Sequence, residues 1–300
     1  MRVLLVLAAI AGMSACSSSS SEAGPPTFDQ VRNATIDGLF DDPVPLKDGR
    51  WEGEPYVAEG ASRPTAGIAG DLMLTGDLTG DGNDETVAFL WSATGGSGTR
   101  NYIGVFQGDG IAAINLATAL IGDRVQVRGG RIIDGQVELD VVQHGPDDAQ
   151  CCPATNATRA WVLKGGALEE QPEQVRGRIS VADLQGTEWQ LVQADREQLP
   201  GANAVTFEVQ DGRVSGQAPC NRYMGAVTDG EAPGMIEFGQ LASTQMACAD
   251  DETMRREQEF LATLGAVDRF GYLAGKLALS ANVDGELRRL LFEPAVVSED

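Results

Sequence analysis

The chain has 300 residues, 42% hydrophobic and 22% charged, the composition of a globular protein long enough for about two domains. Lys+Arg 22 against Asp+Glu 44 give a formal net charge of −22, which argues against a basic face for nucleic-acid phosphates and against polybasic docking on anionic lipid. His144 is the lone histidine, so a multi-histidine metal centre is excluded and a histidine-based triad has one possible base.

Arg2 is followed by an apolar run from Val3 to Ala11. That run is too short to cross a bilayer, which takes about 20 apolar residues. A charged start, an apolar middle and a small-residue exit mark a secretory signal, expected over residues 1–15. The exit, Met13-Ser14-Ala15-Cys16, resembles a bacterial lipobox with Met13 where Leu is commoner. The resemblance implies cleavage before Cys16, a diacylglycerol thioether on its sulfur and acylation of the new amine. More than one acyl chain, at about 0.8 kcal/mol per buried methylene, gives lasting attachment, so the membrane is an expected partner. Residues 16–26, with Ser17 to Ser21 and Pro25-Pro26, read as a polar tether. Ser17, with no Asp after the lipidated Cys, fits by resemblance the rule for export to an outer membrane. The expected place is the cell envelope, facing the periplasm. There Cys151, Cys152, Cys220 and Cys248 meet oxidising conditions, and four cysteines allow three connectivities. No Cys-x-x-Cys pair exists, so neither a zinc ribbon nor a thioredoxin-type site is supported.

A first domain is expected over residues 27–170, β-rich, antiparallel and of no assigned family, opening with a short helix near Phe28 to Phe40. Short β-type runs follow at Leu72–Leu74, Thr86–Trp91, Tyr102–Phe106, Val125–Val127, Arg131–Ile133, Val137–Val142 and Ala160–Leu163, separated by turn signals such as Asp134-Gly135 and Gly165-Gly166. Between the first two runs lies Asp77-Leu78-Thr79-Gly80-Asp81-Gly82-Asn83-Asp84-Glu85. Oxygen-bearing side chains recur at Asp77, Thr79, Asp81 and Asn83, Gly82 supplies a tight turn and Glu85 closes the stretch. Calcium takes six to eight oxygens, and a loop of this spacing can wrap it. The stretch resembles the Asp-x-Asp-x-Asp-Gly loops of integrin-type repeats, with Thr79 where a charged ligand is usual. It is no EF-hand, lacking a Glu at the twelfth position and flanking helices. The alternative is a solvated Asp-Gly turn that needs no metal. Calcium is thus a possible but not a required cofactor.

Gly95-Gly96-Ser97-Gly98 lacks the Lys-Ser or Lys-Thr of a phosphate loop and would join two strands. His144 stands near Asp147 and Asp148, the company a general base would want, but no Ser or Cys occupies a nucleophile-elbow context, and a surface histidine beside a turn is the commoner case. Adjacent Cys151 and Cys152 can bond only through a strained eight-membered ring. A vicinal disulfide leads, with free thiols or links to other cysteines as competitors.

Residues 171–181 are polar and Pro-interrupted, the expected linker. From Leu184 the chain offers Leu184 to Leu191, Val205 to Val209, Val214-Ser215-Gly216, Cys220-Asn221-Arg222-Tyr223 and Met235 to Phe238. Ser243-Thr244-Gln245-Met246-Ala247-Cys248 precedes a helical stretch, and Leu277–Leu279 and Leu287–Phe292 follow it. The most specific pieces are Gly216-x-x-x-Cys220-Asn221-x-Tyr223 and Ser243-Thr244-x-Met246-Ala247-Cys248. This order resembles the META domain, the family of the heat-shock-associated lipoprotein HslJ, and places such a domain over residues 182–295. The resemblance implies a curved antiparallel sheet wrapped around one helix, so the chain as a whole is expected to be mainly β (α+β). Asp250 or Asp251 can cap that helix, Glu252 and Arg256 form an i,i+4 pair, and Met254, Phe260, Leu261 and Leu264 can make its apolar stripe before Gly265 stops it. A Cys220–Cys248 bridge would stabilise by roughly 3–4 kcal/mol on the chain-entropy model, with Asn221 and Thr244 bonding backbone at their turns.

No acid–base–nucleophile set is assembled, and none comes with the resemblance. The reading is a non-enzymatic envelope lipoprotein with a structural or interaction role, which the resemblance links to stress, and an unidentified protein partner. The runner-up is a module binding a lipid or small hydrophobic molecule in the apolar groove that the META-type sheet, curling around its helix, can leave, with a separate calcium site.

Overall fold

The computed structural model describes residues 24–96, 98–149, 151–199 and 205–295. The expected signal segment, Cys16 and most of the expected tether lie outside these residues. Pro26 is already buried, with its carbonyl accepting from Thr86 Oγ1, so the described chain begins docked.

The first half carries α1 (Phe28–Val31), β1 (Thr35–Ile36), β2 (Val44–Pro45), β3 (Arg50–Glu52), β4 (Thr65–Gly76), β5 (Glu85–Ala93), β6 (Arg100–Gly108), β7 (Ala113–Asp123), β8 (Gln126–Ile133), β9 (Gln136–Gln143), β10 (Thr155–Lys164), β11 (Ala167–Glu170) and β12 (Gln174–Arg178). Strands β3 to β7 form one antiparallel sheet in sequence order, and β8 to β12 form a second around β10. The sheets face each other across Val87, Phe89, Ile103 and Val105 on one side and Val137, Leu139, Val141 and Trp161 on the other, a sandwich. The outer face of the first sheet is covered too, by Val31, Ile36, Leu39, Val44 and Leu46 packing on Ala88, Leu90 and Phe106. Strand β5 is therefore buried on both faces, which explains its unbroken buried run from Glu85 to Leu90. The β8–β9 turn places Asp134 and Gly135 at φ 50° and 71°, the two left-handed positions of a type I′ hairpin turn.

Four expectations change here. The opening helix is one turn, capped by Thr27 and Gln30; β-branched Thr35 and Ile36 then pair with Pro45 and Val44 and end it well before Phe40. The runs at 125–127 and 131–133 are a single strand, with a register shift between Val127 and Gly129. Strand β7, whose Asn115 and Thr118 blur its alternation, was not anticipated. Residues 171–181 are no free linker: Gln174–Arg178 pairs antiparallel with β10, and Ile179 and Val181 are buried.

After a 3-10 turn at Val181–Leu184 come β13 (Glu188–Ala194), β14 (Glu197–Gln198), β15 (Thr206–Gln210), β16 (Arg213–Gln217), β17 (Arg222–Asp229), β18 (Ile236–Phe238), β19 (Ala242–Ser243), α2 (Asp251–Gly265), β20 (Val267–Leu273), β21 (Lys276–Val283) and β22 (Glu286–Pro294). The main path runs β18-β17-β16-β15-β13-β22-β21-β20. It curls until its two ends meet, through a Met235–Arg269 bridge and a Phe270 N–H to Gly234 carbonyl bond of 2.9 Å. The fifteen-residue α2 begins at Asp250, whose side chain accepts from Thr253 N, and Glu252 pairs with Arg256 at 2.9 Å. Its buried face is Glu257, Phe260 and Leu264, whereas Met254 of the expected stripe is exposed. The molecule is mainly β, 54% strand and 9% helical.

The halves share a boundary. The β20–β21 hairpin tip reaches the first sandwich, with Gly275 N–H donating to Val127 O at 3.0 Å, Tyr272 N–H to Gln126 Oε1 at 2.8 Å and Lys276 Nζ to Asp71 at 3.0 Å. Gly70, at φ 76°, lets that tip in: a Cβ there would lie 2.5 Å from the Ala274 Cβ. Asp183 joins both halves, accepting from Arg128 Nη1 at 3.0 Å, Asn156 Nδ2 at 2.9 Å and Ser180 N–H at 2.8 Å. The Arg128 guanidinium also lies 5.0 Å from the Tyr272 ring centre. Burial pushes the Tyr272 hydroxyl up to about 12, against the pull of that cation.

Candidate functional sites

The two cysteine-bearing motifs of the second half meet in one network. Cys220 and Cys248 are bonded, with Cα atoms 5.6 Å apart. Asn221 is buried between them and α2: its Oδ1 accepts from Thr244 Oγ1 and Met246 N–H, both at 2.8 Å. Its Nδ2 donates to Glu257 Oε1 at 2.8 Å, while Glu257 Oε2 accepts the N–H groups of Cys220 and Asn221 at 2.8 and 2.6 Å. The Tyr223 hydroxyl donates to Thr206 O at 2.7 Å, and burial drives it far above the usual phenol range. A Cβ on Gly216 would lie 2.0 Å from Thr206 O and 2.8 Å from the Tyr223 hydroxyl, so glycine there clears the path of this bond. Ser243 sits in β19 opposite Tyr223, exposed, and the Met246 side chain faces solvent. The polar groups of Asn221, Tyr223 and Thr244 are thus spent on the fold. Glu257 went unread in the sequence. Its signal was a carboxylate in register with Phe260 and Leu264 on the buried helix face.

Among the described residues, Cys220, Cys248 and Glu257 are a group whose ligand atoms lie within 4.8 Å of one another. The cysteines are disulfide-bonded and the carboxylate already takes three donors, so this is not a free ligand set.

The 77–85 stretch is the turn between β4 and β5. Asp77 accepts from Gly80 N–H at 2.7 Å and Gly82 N–H at 3.0 Å, and Asp81 accepts from Asn83 N–H at 2.8 Å. That backbone bond, first among its contacts, holds the Asp81 carboxyl below its usual range. Glu85 is wholly buried. Its Oε2 accepts from Leu78 N–H at 2.9 Å and Thr79 N–H at 3.1 Å, but its Oε1 has no partner. Burial pushes its carboxyl up, aided by repulsion from Asp81 and Asp77, and the two donors do not overcome this. The carboxylates of Asp77, Asp81 and Glu85 do not all lie within 4.8 Å of one another.

His144 does not find its acid. Asp148 is engaged elsewhere, its Oδ2 accepting from Gly145 and Ala154 N–H at 2.8 and 2.9 Å and its Oδ1 paired with Arg178 at 2.8 Å. Burial works to raise its carboxyl, but those donors and Arg178 outweigh it and hold it low. Cys151 and Cys152 are bonded to each other on the exposed loop that Asp148 braces.

The open space lies in the first half. A cleft of about 760 Å³ separates the covering segment Gly38–Pro43 from the first sheet. Phe40 and Trp51 meet in it with ring centres 5.4 Å apart, Tyr56 and Leu120 are exposed along it, and Asp41, Asp42 and Arg100 stand at its edge. Sequence patterning did not reveal it, because its walls come from segments far apart in the chain. No helix among the described residues is long and apolar enough to cross a membrane.

Comparison with known proteins matches residues 182–294 to the META domain family model and leaves the first half without a family. No curated protein matches the chain. A solved structure, an NMR structure of a protein from Burkholderia xenovorans, is 22% identical over 42% of this chain and 97% of that one, with a TM-score of 0.32.

Proposed function

With residues 182–294 a META domain, we propose that this chain is a non-enzymatic envelope lipoprotein, anchored through Cys16 and acting by interaction. One observation carries the non-enzymatic part. The motif that singles out the second half spends its polar groups on its own backbone and on Glu257. Its buried polar side chains, Asn221, Tyr223 and Thr244, already have partners, which supports a role other than proton transfer or attack on a substrate, jobs that require reach to a reacting group. Attachment rests on the Met13–Cys16 pattern and on the lipid arithmetic above. The test is fractionation: the native chain should sediment with membranes and the Cys16→Ser variant should appear in the soluble fraction. A native chain that stays soluble, or a variant that still sediments, would sink this reading.

A second reading follows from the cleft. Its volume suits a small ligand, and aromatic walls with a few polar groups at the edge are what such sites offer. The space lies in the first half and not in the META domain, where the expected groove was placed. Native mass spectrometry of the Cys16→Ser chain should then show a co-purifying mass that Trp51→Ala loses. A bare polypeptide mass would count against it.

A further inference from the structure

We propose that the β4–β5 turn is a calcium site, with Asp77, Thr79, Asp81, Asn83 and Glu85 supplying its oxygens. Glu85, beneath the acidic cluster, anchors the site. It is 0% exposed and sits at the base of the turn, held by the N–H groups of Leu78 and Thr79 on Oε2. Its second oxygen is buried with nothing to accept from. A buried charged oxygen without a partner is costly, and buried carboxylates are paired or coordinate metals. Glu257 meets that requirement with protein donors, and Asp148, whose Oδ1 likewise accepts no hydrogen bond, meets it through the charge of Arg178 at 2.8 Å. Glu85 does not.

The partner it lacks is a cation. Among the described residues, no Lys or Arg forms an ion pair with Asp77, Asp81, Asp84 or Glu85. The charges that act on Glu85 are the carboxylates of Asp81 and Asp77, and Asn83 and Thr79 bond to Asp81. The groups this turn can offer a ligand are carboxylate, hydroxyl and amide oxygens, which select a hard ion. Calcium accepts irregular geometry and six to eight ligands, whereas magnesium demands a near-ideal octahedron, which one short turn does not provide. The three carboxylates do not all lie within 4.8 Å of one another, so holding an ion draws them together, and Asp81, which is exposed, has room to move. The turn also leans on the second sheet, where a Cβ on Gly76 would lie 2.8 Å from Ile132 Cγ2. Calcium held there would fasten one edge of the sandwich. This inference is independent of the anchoring proposed above.

The experiment uses the full mature chain carrying Cys16→Ser, freed of metal by chelation and titrated with calcium or magnesium at fixed ionic strength. Calorimetry should give one calcium per chain with Kd of about 0.1–1 mM, the range of extracellular modules. The melting temperature should rise with calcium and much less with magnesium. Asp81→Asn should weaken binding about tenfold or more without lowering the melting temperature in chelator. Thr79→Asp, which adds a charged ligand, should tighten it by about tenfold, an outcome a plain hydrogen-bonded turn would not produce. Two results would overturn the proposal. One is absence of calcium heat in both the native chain and Thr79→Asp. The other is an equal shift from both ions that Asp81→Asn leaves unchanged, which is screening of the chain's net charge.

Discussion

Each half of the molecule buries a glutamate, and the two are treated in opposite ways. Glu257 lies on α2 beneath the disulfide and receives three donors, two from backbone and one from Asn221. Glu85 lies beneath the β4–β5 turn and receives two donors on one oxygen and none on the other. A charged group whose hydrogen bonds are complete is part of the architecture. One left half-complete is where something else belongs. The comparison therefore supports folding as the role of the motif in the META domain, and it is the basis on which an ion is proposed at the turn of the first half.

The strongest way to break the comparison is to remove Glu257. Glu257→Ala strands two backbone N–H groups and the Asn221 amide in a buried place, each unmet donor costing about 1–3 kcal/mol. We expect the mature chain to lose about 3 kcal/mol or more of unfolding free energy in urea, with the Cys220–Cys248 bridge intact. A loss below about 1 kcal/mol would show that water or side-chain movement replaces the carboxylate, and the assignment to architecture would fail. Removing Glu85 in chelator should cost less, since it strands two donors, the Leu78 and Thr79 N–H groups, instead of three and relieves an oxygen that has no partner.

How much of this could be read in advance differs between the halves. The META signature was legible because its residues act locally and in fixed order: Cys220, Asn221 and Tyr223 sit at one strand start, and Thr244 and Met246 bond back to them. The helix cap at Asp250 and the Glu252–Arg256 pair were legible for the same reason. Glu257 was not, because a glutamate in a helix looks solvated until its face is known. In the first half, β5 gave a clear strand, but its second buried face depends on residues 28–46 folding over the sheet, a contact no local pattern encodes. The strand at 174–178 reads as linker because β12 is polar but for Val175 and is exposed throughout. Its pairing with β10 comes from backbone bonds, which composition does not record.

A smaller effect sharpens the boundary between the halves. Arg128 and Asp183 form a 3.0 Å pair with both side chains mostly buried, at 25% and 18% exposure. Their coupling should exceed that of a surface pair, which is typically about 0.2–1 kcal/mol. A double-mutant cycle with Arg128→Ala and Asp183→Ala should give roughly 1–2 kcal/mol at moderate salt. Asp183→Ala alone also frees Asn156 and Ser180 N–H, so its single effect should be the larger. Additive single effects would mean that the halves are held by the hairpin tip and buried apolar contacts alone.

The smallest effect carries the most information about Glu85, because it depends on pH. Burial raises its carboxyl above the usual value in the folded chain. At pH below the unfolded value, about 4.3, both states hold the proton and Glu85 costs nothing through ionisation. As pH rises past that value, the unfolded chain releases the proton first, and stability falls until the folded group ionises too. Asp148 and Asp195 are held low in the folded chain and act in the opposite sense, adding stability as pH rises, but their effect cancels between a variant and its parent. In chelator, Glu85→Gln should therefore become more stable relative to the native chain as pH goes from about 4 to 7. In saturating calcium the sign should reverse, because the ion favours the charged carboxylate that Gln cannot supply. Urea midpoints at three pH values, with and without calcium, make the measurement. A difference that ignores pH would mean that burial does not strain the Glu85 carboxylate, and the contrast between the two halves would lose its physical basis.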